Sequence, residues 1–135
     1  LFRDTCMLIV WKDEYLVGHS VIDLDHQTLV AITNDLYDSV QTGSGQEQIN
    51  ITIQRLLDYI ERHFAREEDI FIDSDYPDAR AHMQKHREIE KVVTDLAAAY
   101  KGDPTAISID EVTDFLKRWL TNHIARTDRT YIPFL

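Results

Sequence analysis

The residues with most chemistry to offer lie between His63 and His86, in the run HFAREEDIFIDSDYPDARAHMQKH. It holds His63-x-x-x-Glu67, a turn, and then His82-x-x-x-His86. On a helix, an i, i+4 pair projects from one face with its side chains about 5–6 Å apart. A helix ending in one pair, followed by a helix opening with the other, brings four donors to one end of a helical hairpin. Imidazole and carboxylate are ligands for transition metals, and four of them suffice for zinc. The choice between zinc and a larger site rests on what the rest of the chain sends to the same place.

The elements that must position these residues are helices. The first is expected to start near Asp23 as N-cap and to present His26, Leu29, Val30, Thr33, Leu36 and Val40 inward, until the run TGSG at 42–45 ends it. The second spans about residues 47–72, with Ile49, Ile53, Leu56, Leu57, Ile60, His63, Phe64, Glu67 and Phe71 on one stripe. The turn DSDYP follows, with Ser74 or Asp75 as cap and Pro77 in the first helical turn. The third helix carries Ala79, His82, His86, Ile89, Val93, Leu96 and Tyr100, and Gly102, Asp103 and Pro104 stop it. The fourth opens with Ser108 and Glu111 as a capping box and presents Val112, Phe115, Leu116, Trp119, Leu120, His123 and Ile124. Four amphipathic helices with short connections predict an all-α, antiparallel up-down-up-down four-helix bundle. The bundle is assigned to residues 21–135. Residues 1–20 read as an N-terminal arm, with Trp11, Tyr15, Leu16 and Val17 packed along the body and His19 in a loop as a hydrogen-bonding rather than a metal-binding histidine.

Composition narrows the function. A net charge of −10 argues against nucleic acid and against anionic membrane surfaces as partners. No apolar run approaches the ~20 residues of a membrane span, and the short CMLIV segment is too brief for a signal peptide. Cys6 is the only cysteine, so no internal disulfide forms, a reducing cytoplasm is expected, and Cys6 reads as a half-buried arm residue. The first residue is Leu1 rather than Met, which fits a fragment, and Met7 is a candidate start.

In an up-down-up-down bundle the start of the first helix, end of the second, start of the third and end of the fourth share one end. His26, then His63 with Glu67, then His82 with His86, then His123 with Asp128 therefore meet in one patch of core. A single histidine on an apolar face is ordinarily a hydrogen-bonded core residue. Five of them with two carboxylates are not, because buried carboxylates are costly unless paired or metal-bound. Seven donors exceed a tetrahedral zinc site, and no HExxH is present. The nitrogen and oxygen mixture suits two divalent transition ions, iron first. Ferritin-like di-iron proteins use four carboxylates and Glu-x-x-His motifs instead, and no Glu-x-x-His occurs here.

This ligand set resembles that of the hemerythrin family, in its bacterial branch, over nearly the whole chain. The resemblance includes the words Ile22-Asp23-x-x-His26, His63-Phe64-x-x-Glu67-Glu68 and Trp119-Leu120-x-x-His123-Ile124-x-x-x-Asp128-x-x-Tyr131. It implies two Fe ions, one held by His82, His86 and His123 and the other by His26 and His63. Glu67, Asp128 and an oxo or hydroxo group would bridge them. The two-histidine iron then keeps one open position, for dioxygen. Leu29, Phe64, Trp119, Leu120 and Ile124 would line an apolar oxygen pocket. The implied function is reversible dioxygen binding, for storage and delivery or as an oxygen-sensing domain with a signalling or redox partner, attached or separate. No catalytic residue is assigned, and an enzyme is not expected. The competing readings are a di-iron peroxidase or oxidase and a redox-responsive signalling input domain.

One spacing carries a structural expectation. His123 and Asp128 are five apart, so at ~100° per residue they diverge by ~140° around a regular helix. The fourth helix should therefore loosen between Ile124 and Asp128, by a π-type turn or by ending early.

Overall fold

The computed structural model describes residues 7–135, so Cys6 lies outside it. Four helices, α1 (Ser20–Gln41), α2 (Gln46–Ile72), α3 (Ala79–Gly102) and α4 (Ile109–Ala125), form the antiparallel bundle, and the described residues contain no strand. Short connections leave each helix no choice but to return beside its predecessor. Ile22, Leu29, Leu36, Ile53, Ile60, Ile89, Val93, Leu116, Leu120 and Ile124 are buried on the facing stripes. Each such side chain contributes about 1.5–3 kcal/mol of hydrophobic free energy. Among the described residues, no helix is long and apolar enough to cross a membrane.

The start of α1 differs from the sequence expectation. The helix begins at Ser20, and its cap is His19, whose Nδ1 accepts the Ile22 N–H at 3.4 Å. Asp23 does not cap. Its carboxylate accepts the N–H groups of Val17 (2.7 Å) and Gly18 (3.2 Å), because the arm folds back and leaves those donors without other partners. Gly18, at φ +91°, supplies the left-handed residue this reversal needs.

The arm lies on the bundle, with Ile9, Tyr15 and Val17 buried and Leu16, expected to pack, 41% exposed. A short 3-10 turn (Asp13–Tyr15) sets Trp11 edge-on to Tyr15 at 5.3 Å and turns Leu16 outward. Asn34 of α1 ties the arm down as a strand neighbour would: its Oδ1 accepts the Ile9 N–H (2.8 Å) and its Nδ2 donates to the Ile9 carbonyl (2.9 Å). Asn34→Ala leaves both backbone groups of a buried residue without partners. It should cost about 1–3 kcal/mol, read as a lower midpoint in urea with faster amide exchange at Ile9. Unchanged exchange there would show that Asn34 does not hold the arm.

Two further local expectations are corrected. Neither Ser74 nor Asp75 caps α3. The Ser74 hydroxyl donates to the Phe71 carbonyl and accepts the Tyr76 N–H, so it finishes α2. Helix α3 starts behind Asp78 with Pro77 still in the turn. On α4, Phe115 is 38% exposed; at ~100° per residue it sits about a third of a turn from the centre of the buried stripe. The Ser108 cap is present, its Oγ accepting the Glu111 N–H at 3.3 Å.

Candidate metal centre

Helix α4 ends at Ala125. Arg126 leaves helical conformation (φ −124°, ψ −60°), and Thr127–Arg129 forms a 3-10 turn. The early ending swings Asp128 round to the face occupied by His123. All seven residues singled out from the sequence are buried, and they converge: His26, His63, Glu67, His82, His86, His123 and Asp128 are each at most 4% exposed.

Each carboxylate reaches in two directions. Asp128 Oδ2 lies 2.9 Å from His26 Nε2, whereas Oδ1 lies 2.9 Å from both His82 Nε2 and His123 Nε2. Glu67 Oε2 lies 3.6 Å from His63 Nε2 and 3.7 Å from His26 Nε2. Glu67 Oε1 lies 3.1 Å from His86 Nε2 and 4.0 Å from His82 Nε2. The donors divide into two sets able to hold a metal ion, His82, His86 and His123 in one and His26 and His63 in the other, with Glu67 and Asp128 common to both.

The protein leaves many of these atoms unsatisfied. His26 Nδ1 and Nε2, His63 Nε2, Glu67 Oε1, His86 Nε2 and Asp128 Oδ2 are buried and make no hydrogen bond. Each such group costs about 1–3 kcal/mol, and cations between the rings and carboxylates remove that cost.

A second layer fixes which nitrogen points inward. Nδ1 of His63 is 2.9 Å from Asp25 Oδ2, and Nδ1 of His86 is 2.9 Å from Glu68 Oε2. A carboxylate only accepts, so both rings carry the proton on Nδ1 and turn a lone pair on Nε2 toward the cluster. Asp25 is held in turn by Tyr59 and by both Nε and Nη2 of Arg66, and Glu68 by Arg87. For His82 the direction follows from a chain. The Thr130 hydroxyl donates to the Thr127 carbonyl and so accepts from Tyr76 (2.6 Å), which leaves Tyr76 to accept from His82 Nδ1 (3.2 Å). Nε2 of His82 and Nε2 of His123 lie 3.4 Å apart, each 2.9 Å from Asp128 Oδ1, a convergence of two ring nitrogens and a carboxylate oxygen that suits a cation. Tyr131 completes the layer, its buried hydroxyl donating to Glu67 Oε2 at 2.9 Å.

The charges respond to this crowding. Burial pushes the Glu67 carboxyl up and the Asp128 charge adds to it, but His63, His26 and His86 outweigh both and leave it at about 2. Asp128 is likewise held well below the usual carboxylate range, burial being overcome by His123, His26 and His82. Burial pushes His26 down, yet the carboxylates of Asp128 and Glu67 raise it to about 9. His82 moves the other way, because burial dominates there. Burial and the two carboxylates push Tyr131 far up, so it stays a proton donor. Both carboxylates are therefore ionised at neutral pH, ready to bind cations.

A small apolar cavity of about 20 Å³ adjoins the cluster, space for roughly one water-sized body. It touches His26, His63, His123 and Asp128 but neither His82 nor His86. Leu29, Phe64, Trp119, Leu120 and Ile124 all line it, joined by Leu56, Ile60 and Leu116, which the sequence marks only as positions on the apolar helix stripes. Sequence reasoning missed Asp25, Arg66, Tyr76 and the role of Glu68. The available signal was an acid interrupting a helix face beside a candidate ligand, as Asp25 precedes His26 and Glu68 follows Glu67. Asp25→Asn and Glu68→Gln should each weaken metal affinity about 10–100-fold, the usual effect of losing a group that orients a ligand. Competition with a chelator measures it, and unchanged affinity in both variants would reduce these contacts to packing.

The model of the hemerythrin HHE cation binding domain matches residues 17–135. A bacteriohemerythrin of Methylococcus capsulatus is 33% identical over 129 residues, covering 95% of this chain and 97% of that protein. One from Pseudomonas aeruginosa is 34% identical over 125 residues, covering 92% and 79% respectively. A crystal structure of wild-type hemerythrin superposes with a TM-score of 0.85 at 29% identity, over 93% of this chain and 96% of that one.

Proposed function

The chain belongs to the hemerythrin family, and from that premise we propose that it binds dioxygen reversibly at a non-haem centre of two irons. The observation that carries this reading is the straddling of Glu67 and Asp128, each with one oxygen toward His26 or His63 and the other toward the three-histidine set. A carboxylate so placed is a ligand to two ions rather than one. His82, His86 and His123 would hold one iron, His26 and His63 the other, with Glu67, Asp128 and a solvent-derived oxygen between them.

When bound, an iron pair supplies the electrons that make dioxygen binding possible. This chain's residues do the rest. Neutral imidazoles offer Nε2, their tautomers set by Asp25, Glu68 and Tyr76. The cavity touches both histidines of the smaller set, His26 and His63, but only His123 of the other three, so it adjoins chiefly the set with fewer donors. Its apolar wall keeps water from the ligand. The Tyr131 hydroxyl donates a hydrogen bond to Glu67 Oε2 and fixes that carboxylate's orientation.

The absorption spectrum of the reduced protein, taken before and after air is admitted and again after it is removed, tests the proposal. A visible band that appears and disappears with oxygen supports it. A single irreversible conversion, or steady oxygen consumption with a reductant, would replace it with a redox enzyme.

A further inference from the structure

The cavity beside His26 and His63 has one wall that differs from the others. Every other residue lining it is buried, whereas Trp119 is only partly so. Trp119 faces two spaces. Inward it lines the cavity; outward it forms part of a solvent-facing cleft of about 330 Å³ between α3 and α4, with Ile89, Val92, Phe115, Asn122 and His123. These two helices lack the close backbone packing of α1 on α2, α2 on α3 and α1 on α4. Side chains fill the gap, and the indole is the largest of them. It stacks on His123 (4.6 Å, 18°) and meets Phe64 edge-on (6.2 Å, 66°).

We propose that Trp119 is the gate between this cleft and the cavity, admitting dioxygen and holding back larger or charged ligands. The proposal rests on the reading of the site as an oxygen-binding centre. Among the described residues, only Trp119 and His123 border both spaces, and His123 is fixed within the ligand cluster, so the indole is the partition able to move. A two-atom apolar gas needs a small excursion of the ring. An ion, or a molecule of several atoms, needs α3 and α4 to part. The gate therefore acts as a size filter without any loop or lid.

Rapid mixing or flash photolysis of the iron-loaded protein tests it. Trp119→Ala should raise both association and dissociation rates of dioxygen about tenfold, a ~1.4 kcal/mol smaller barrier. Val92→Phe, which fills the cleft from α3 without touching the centre, should slow both. Rates unmoved by either substitution would overturn the gate, and if Trp119→Ala fails to fold, Val92→Phe decides alone. A second readout needs no oxygen chemistry. In zinc-loaded protein carrying Trp11→Phe, excited where tyrosine does not absorb, only Trp119 emits, and its quenching by dissolved dioxygen should fall when Val92→Phe closes the cleft. Undiminished quenching would place the route elsewhere. If the iron-loaded protein binds no dioxygen, the functional reading fails while this quenching still decides the route.

Discussion

Replacing Asp128 with alanine should cut tightly held iron from two per chain to one or none. In the folded protein its carboxylate lies 2.9 Å from three imidazole nitrogens, two in the three-histidine set (His82 and His123) and one in the other (His26). Its loss removes a donor from both ions at once. It also leaves His26, His82 and His123 facing one another with a single carboxylate, Glu67, among them. Loss of a merely orienting group already costs about 10–100-fold in affinity, so a shared ligand should exceed the upper figure. Glu67→Ala should behave alike and additionally strand the Tyr131 hydroxyl. Metal analysis after gel filtration gives the answer, with helical circular dichroism to confirm folding. Two tightly held irons in either folded variant would refute the bridging assignment.

The second large effect concerns the lifetime of the proposed oxygen-binding centre. Leu120 is one helical turn from His123, 6% exposed, and part of the cavity wall. Leu120→Ala admits water beside the open position, and spontaneous oxidation of the reduced centre should accelerate about tenfold, a barrier change of ~1.4 kcal/mol. The same substitution should cost about 2–5 kcal/mol of stability, so rates are compared well below the melting range. Leu120→Met keeps the volume and should stay near the parent. An oxidation rate unchanged in Leu120→Ala would mean the open position faces another wall.

Much of this molecule is legible in its sequence because two periodicities agree. The apolar residues recur at helical spacing, and the histidines and carboxylates fall on the same stripes, each near the end its helix must present to the cluster. The five-residue step from His123 to Asp128 even exposes the early end of α4. What stays hidden is whatever depends on a side chain crossing between helices. Asp25 reaches His63 and Arg66 on α2, Tyr76 reaches His82 and Thr130, and Asn34 reaches Ile9; no local pattern marks these. The misread caps have the same origin. Asp23 is an acceptable cap in isolation, but the arm presents it with two backbone donors that a linear reading cannot place.

The ligand candidates are also spread along the chain, from His26 on α1 to Asp128 in the turn beyond α4. Closing so long a segment costs more chain entropy than closing a helical hairpin, so the hairpin forms first. Metal affinity is therefore complete only once all four helices have docked and the last turn has swung inward. A metal held by the whole set, beyond the four donors of the α2–α3 hairpin, is bound only after the bundle has formed. It acts as a latch: by holding contacts that form late, it lengthens the lifetime of the folded state while leaving the speed of folding almost untouched.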